Sequence, residues 1–141
     1  MKALKINKDT RNMVINLLQN INNLVIEDFI IDNCCILVNE KEDIVGTISY
    51  ERFSKLALIR YFVFKRSVSK EDLSILYNCL EEDLKKKNII SAVGIVNSDE
   101  VKEVFKCIGF QKIDKEKVFF EETLFTKTNL KDNDVFIKKV N

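Results

Sequence analysis

The chain has no histidine, no proline and only 3 glycines among its 141 residues. Without histidine the commonest general base is missing, and Ser-His or Cys-His nucleophilic dyads are excluded. So few hinge residues, with no linker, repeat or low-complexity tract, predict a single domain over residues 1–141. That length can bury most of its apolar surface without staples. No apolar run reaches the roughly 18 residues of a membrane helix. The start, Met1-Lys-Ala-Leu-Lys-Ile6, is too short and too charged for a signal peptide. The expectation is a cytoplasmic protein with no membrane partner.

Neither sign of charge is in excess. Lys and Arg total 23 against 22 Asp and Glu, a formal net charge of +1. Nucleic-acid binders usually gather a basic excess on one face, so no nucleic-acid partner is expected. The run Lys85-Lys-Lys87 reads instead as the last turn of a helix, where cations meet the negative end of the dipole. The 4 cysteines are Cys34, Cys35, Cys79 and Cys107. Neighbours such as Cys34 and Cys35 face opposite ways in a strand and make no CxxC clamp. With no histidine to complete a ligand set, no metal is expected. Reduced thiols in the core or at its edge are.

What the sequence does contain is clear periodicity. Lys2 to Ile6 reads as a first strand, followed by a helix capped by Asp9 and running to about Asn22, with Val14, Leu17, Leu18 and Ile21 on one face. Leu24 to Ile31 fits either a helical turn or an extended segment. Cys34–Val38 and Ile44–Tyr50 form a hairpin across a polar turn, and a turn at Ser54-Lys55 returns the chain into a strand at Leu58–Phe64. A long helix from Ser69 to Lys87 carries the stripe Leu73, Leu76, Tyr77, Leu80 and Leu84 opposite Glu81, Glu82, Asp83, Lys85 and Lys86. Ser69 and Asp72 make a start like a capping box. Ile89–Val96 follows as a strand, so the pair joined by this helix should be parallel through a right-handed β-α-β crossover. A short helix, Ser98–Ile108, buries Val101, Val104, Phe105 and Ile108 and stops at Gly109. Strands near Phe110–Ile113 and at Val135–Val140 complete an α/β (mixed α+β) fold, a mixed central sheet with helices on both faces.

Three segments give this pattern a likeness. Asp43-Ile-Val-Gly-Thr-Ile48 is similar to an acidic-apolar-Val-Gly strand start, and Ala57-Leu-Ile-Arg-Tyr-Phe-Val-Phe64 to a central strand. Asn97 with Phe105-Lys-Cys-Ile-Gly-Phe110 is similar to a closing Asn…Tyr…Gly-Phe motif. Together they resemble the GNAT N-acetyltransferase superfamily over roughly Cys35 to Val140. Ala57-Leu-Ile-Arg60 and Glu122-Thr-Leu-Phe125 most resemble its arsenic-resistance-associated and N-acetylglutamate-synthase-like members.

The resemblance implies transfer of an acetyl group from acetyl-CoA to a primary amine of a small molecule. It implies a slot between the Leu58–Phe64 and Ile89–Val96 strands, with cofactor contacts at Phe62, Val63, Phe64, Ser69, Lys70, Asn97 and Phe105. The pantetheine arm would pair with strand backbone at Phe62–Phe64, and a strand amide would polarise the thioester carbonyl. The pyrophosphate would rest on amides at the next helix start. Two departures stand out. The family's glycine-bearing phosphate loop is replaced by Lys65-Arg-Ser-Val-Ser-Lys-Glu-Asp72, where Glu71 and Asp72 suit the helix dipole but oppose a phosphate. Phe105 stands where many members place a proton-donating tyrosine, and its packing role is the simpler one. Glu51 is the candidate base, with a surface charge as its plain alternative. Arg60 either receives a substrate carboxylate or partners a core carboxylate. The rival function is a catalytically silent GNAT-like module that binds a ligand or protein. A third is a structural domain forming a homodimer through the tail Lys115–Asn141.

Overall fold

The structure is a computed structural model that describes residues 1–21, 24–96, 98–114, 119–120, 123–124 and 133–141, with 119–120 and 123–124 by backbone alone. It divides into two compact units, Met1–Glu51 with Arg60–Asp83, and Arg52–Ile59 with Leu84–Asn141. The strands are β1 (Lys2–Lys5), β2 (Cys35–Val38), β3 (Ile44–Phe53), β4 (Leu56–Phe64), β5 (Ser91–Val96), β6 (Gln111–Ile113), β7 (Phe119–Phe120), β8 (Thr123–Leu124) and β9 (Asp134–Lys139). The helices among the described residues are α1 (Lys8–Gln19), α2 (Asp28–Ile31), α3 (Lys70–Lys86) and α4 (Asp99–Cys107). Seven strands form one mixed sheet in the order β1-β2-β3-β4-β5-β9-β6, and β7 pairs with β8 separately.

In the first unit, β1 and β3 both pair antiparallel with β2. The cap of α1 is Asn7, where the sequence suggested Asp9. Its Oδ1 accepts from the amides of Asp9 and Thr10, each at 2.9 Å, and Thr10 Oγ1 accepts the Asn7 amide at 2.9 Å. Asn7 has extended backbone and aims its side chain back at the first turn, which a residue already inside the helix does not do. The stretch between α1 and β2 closes with α2. Val14, Leu18, Ile30 and Ile31 of these two helices pack with Ile36, Val38, Ile44 and Tyr61 on one face of the strands. Alternation sends Leu37 the other way, where Gly46 leaves room beside Leu37 and Leu76 of α3. Helices therefore cover both faces.

Asp83 departs from the polar face assigned to it on α3 and is 6% exposed. It lies three residues after Leu80 and seven after Leu76, so it falls at the rim of the apolar stripe rather than opposite it. Burial is offset by partners: Tyr50 Oη donates to Asp83 Oδ2 at 2.7 Å, and Lys5 Nζ to Oδ1 at 2.7 Å. Tyr50→Phe removes a neutral donor to a buried carboxylate and should cost about 1.5 kcal/mol in urea unfolding. An unchanged midpoint would show that the Tyr50 hydroxyl is not needed to hold the buried carboxylate.

In the second unit, β4 and β5 are parallel, as the crossover requires, in register at Leu56↔Ser91, Ala57↔Ala92 and Leu58↔Val93. The β5 strand begins at Ser91 rather than Ile89. Asn88 takes a left-handed φ of 59° after α3, and the Ile89 amide bonds back to Leu84 O at 3.1 Å, spending two residues on the helix end. The α4 helix ends the same way, with Gly109 at φ 99° and the Phe110 amide on Phe105 O at 2.9 Å. The last strand, β9, pairs antiparallel with both β5 and β6. Leu58, Val93 and Val135 pack on one sheet face. Gly94, Phe136 and Phe105 meet on the other.

Candidate functional site

The second half of β4 is where backbone and chemistry diverge from an ordinary strand. Tyr61 sits at φ 52°, a left-handed conformation in mid-strand that costs a bulky residue about 1–2 kcal/mol. Three hydrogen bonds hold it there. Its carbonyl accepts from Thr47 Oγ1 at 2.8 Å. Its hydroxyl accepts from the Glu27 amide at 2.9 Å and donates to Val25 O at 2.7 Å. The ring is buried, and the connection between α1 and α2 is thereby tied to β4. A strained residue over-determined by its surroundings is a mark of functional sites.

The neighbours of Tyr61 carry charge. Arg60 Nη1 lies 2.7 Å from Glu51 Oε1, with both side chains less than a third exposed, and its guanidinium is 5.6 Å from the centre of the Tyr61 ring. Beyond Tyr61, the Phe62 and Phe64 rings meet at 5.3 Å. Val63, Phe64 and Lys65 then line a pocket of about 220 Å³ with Leu17 of α1, Ile21 just beyond that helix, and Ile44–Gly46 of β3. Its lining residues are apolar except Lys65. The Lys65 amide holds Val45 O at 2.9 Å, ending the strand.

After a turn closed by the Val68 amide on Lys65 O, α3 starts. Ser69 is its cap: the hydroxyl accepts from the Asp72 amide at 3.1 Å and donates to Asp72 Oδ2 at 2.9 Å. This is the Ser69–Asp72 start expected from sequence, with the carboxylate returning to the hydroxyl. An acidic group thus already stands in the first turn, beside Glu71. Lys65, Arg66 and Lys70 are exposed around it.

In the second unit the β4–β5 register ends at Leu58↔Val93 among the described residues, although β5 continues to Val96. On the far side of β5, the Phe105 ring is 2% exposed and abuts Gly94: a Cβ built on that glycine would lie 2.6 Å from Phe105 Cζ. Phe105 also meets Phe110 edge-on at 4.9 Å and stacks on Phe136 at 6.4 Å.

No family model and no curated protein matches the sequence. Solved structures do. An acetyltransferase of the GNAT family from Staphylococcus aureus Mu50 superposes with a TM-score of 0.67 over 99% of both chains, at 14% identity. Rv2747 from Mycobacterium tuberculosis, solved in complex with CoA, gives 0.74 over 100% of both chains at 11% identity. N-acetylglutamate synthase from Neisseria gonorrhoeae, complexed with coenzyme A and N-acetyl-glutamate, gives 0.73 at 11% identity over 99% of this chain and 35% of its own. The chain has the GNAT fold.

Within this GNAT fold, the first unit brings together Glu51, Arg60, Phe62, Val63, Phe64, Ser69 and Lys70, all on β3, β4 or the start of α3. Phe105 belongs to the second unit, and Asn97 lies outside the described residues, as do Glu122 and Phe125 of the tail motif. Sequence reading missed Tyr61 and Thr47. The available signal was a tyrosine inside an apolar strand, since a buried phenol needs a hydrogen-bond partner. Among the described residues no cluster of His, Cys, Asp or Glu could hold a metal, and no helix is long and apolar enough to cross a membrane.

Proposed function

We propose that the protein is an N-acetyltransferase that moves an acetyl group from acetyl-CoA to a primary amine of a small molecule. The observation that carries the reading is the run from the Tyr61 kink through Phe62–Phe64 into the capped start of α3, which sets strand backbone, an apolar pocket and a helix N-terminus in succession. Two of the similar structures hold coenzyme A, which supports the same assignment. The residues present suit such a molecule: the pocket wall is apolar, and three exposed cations, Lys65, Arg66 and Lys70, outnumber Glu71 and Asp72.

Acetyl-CoA, when bound, supplies an activated thioester. The chain's part is to position and to handle a proton. Backbone at Phe62, Val63 and Phe64 aligns the arm, and Ser69 and Lys70 face the phosphate end. Glu51 takes the proton that the acceptor ammonium sheds to become a nucleophilic amine, and Arg60 receives an acceptor carboxylate. Because these two side chains are paired, an acceptor carrying both an amine and a carboxylate can exchange for the pair without stranding either charge. A catalytically silent binding module is the second reading. It is favoured by Phe105, which has no proton to give, and by the carboxylate of Asp72 already facing the α3 cap.

Acetyl-CoA at about a hundred times its Kd should stabilise the protein by about 2.7 kcal/mol, read as a raised melting temperature. No shift at millimolar cofactor would overturn the transferase. Lys70→Glu should weaken binding by about 1 kcal/mol or more, roughly fivefold in Kd, and Glu71→Gly should strengthen it. The opposite pattern would place the phosphates elsewhere. A shift without acetylation of any amino acid or polyamine would favour the silent module.

A further inference from the structure

We propose that Cys79 and Cys35 are a redox-active thiol pair that a peroxide closes into a disulfide joining α3 to β2. The pair lies in the first unit and takes no part in the acyl-transfer reading. Cys35 opens β2, and because Ile36 and Val38 turn to the α1–α2 core, Cys35 turns to the α3 side. There Lys5, the β1 residue paired opposite Cys35, reaches Asp83 of α3 at 2.7 Å, one helical turn beyond Cys79, so the two thiols stand on facing elements beside one ammonium. Cys35 is buried and Cys79 half-buried, so the two differ in access as an attacking and a resolving thiol must. Cys34 cannot substitute. It faces the opposite core and donates to Cys35 O at 3.4 Å.

Charges around the pair set the roles. The Cys35 hydrogen bond first, and the Lys5 ammonium after it, hold the Cys79 thiol down at about 7, against burial and the carboxylates of Glu82 and Asp83. Cys35 is pushed up by the same hydrogen bond and by its burial, the nearby thiols of Cys79 and Cys34 acting the same way against Lys5. Burial pushes Cys34 up to about 12. Cys79 is therefore the thiolate, and a thiolate is the form that reacts.

The Cys79 thiolate attacks one peroxide oxygen, the O–O bond breaks, and a sulfenic acid and hydroxide result. Cys35 sulfur then displaces the sulfenic hydroxyl, its proton leaving with that hydroxide as water. Two thiols are oxidised, and one hydrogen peroxide is reduced to two waters.

The reduced full-length protein, titrated with hydrogen peroxide, should fall from 4 free thiols to two with no covalent link between chains on non-reducing denaturing gels. Peptide mapping should join Cys35 to Cys79, and dithiothreitol should restore both. Cys34→Ser and Cys107→Ser should close as before. Cys35→Ala should stop at a dimedone-trappable sulfenic acid on Cys79. In the unmutated protein, iodoacetamide at pH 7 should label Cys79 about tenfold faster than an ordinary peptide thiol. That rate should rise through a midpoint near 7 and shift upward in Cys35→Ala. Four surviving thiols, a disulfide between molecules, or Cys107 reacting before Cys79 would each overturn the proposal. The alkylation rates keep the test decisive if a variant folds poorly.

Discussion

Phe105→Ala should cost about 3–5 kcal/mol in urea unfolding, and Gly94→Ala about 1–3 kcal/mol, two large losses at one contact. The ring is almost fully enclosed between Phe110, Phe136 and the bare backbone of Gly94. Truncation leaves a cavity. A methyl on Gly94 instead arrives 2.6–2.7 Å from the ring tip, where no real Cβ sits. The ring has little freedom to yield, since its other faces are already filled. The sharper test is the combination: in a Phe105→Leu background, Gly94→Ala should lose much of its penalty, giving a coupling of about 1 kcal/mol or more. Simple additivity would mean the two sites do not share the space. Phe105→Tyr bears on function as well. The added hydroxyl would sit on Cζ, the atom nearest Gly94, so this variant should be less stable and no more active. Rate gained by it would show that a proton donor was missing and could be supplied there.

The elements that were legible in the sequence are those whose signal is local and repeated. The α3 stripe from Leu73 to Leu84 recurs over a helix of 17 residues, and the parallel β4–β5 pair follows from the long helical connection that a crossover needs. What escaped reading depends on partners far along the chain. Nothing in Val135–Val140 says that the strand there lies between β5 and β6, because antiparallel edges accept many apolar strands. Asp83 looked solvated since a carboxylate on a helix usually is, and partners far along the chain, Tyr50 and Lys5 among them, make its burial tolerable. The Arg60–Glu51 contact joins two residues whose separate roles could be imagined but whose pairing needed the β3–β4 hairpin. A sign of φ leaves no trace in hydrophobic periodicity, so the kink at Tyr61 was invisible.

That kink predicts an inverted substitution order. In an extended strand, alanine is preferred to glycine by about 0.5–1 kcal/mol, because glycine surrenders more backbone entropy on folding. At Tyr61, with φ at 52°, alanine meets the left-handed penalty and glycine does not. Tyr61→Gly should therefore be more stable than Tyr61→Ala by about 1 kcal/mol, although both lose the buried ring. Tyr61→Phe keeps the ring and isolates the hydroxyl. It leaves the Glu27 amide and Val25 carbonyl without their partner and should cost about 1–3 kcal/mol, with faster hydrogen exchange at Glu27. If the kink also positions Phe62–Phe64 for the cofactor, acetyl-CoA binding should weaken more in Tyr61→Ala than in Tyr61→Phe. Equal weakening in both would separate the kink from the site and leave it a feature of folding alone. Should alanine prove the better replacement, β4 runs straight in solution, and the strand backbone on which the proposed site is built has a different course.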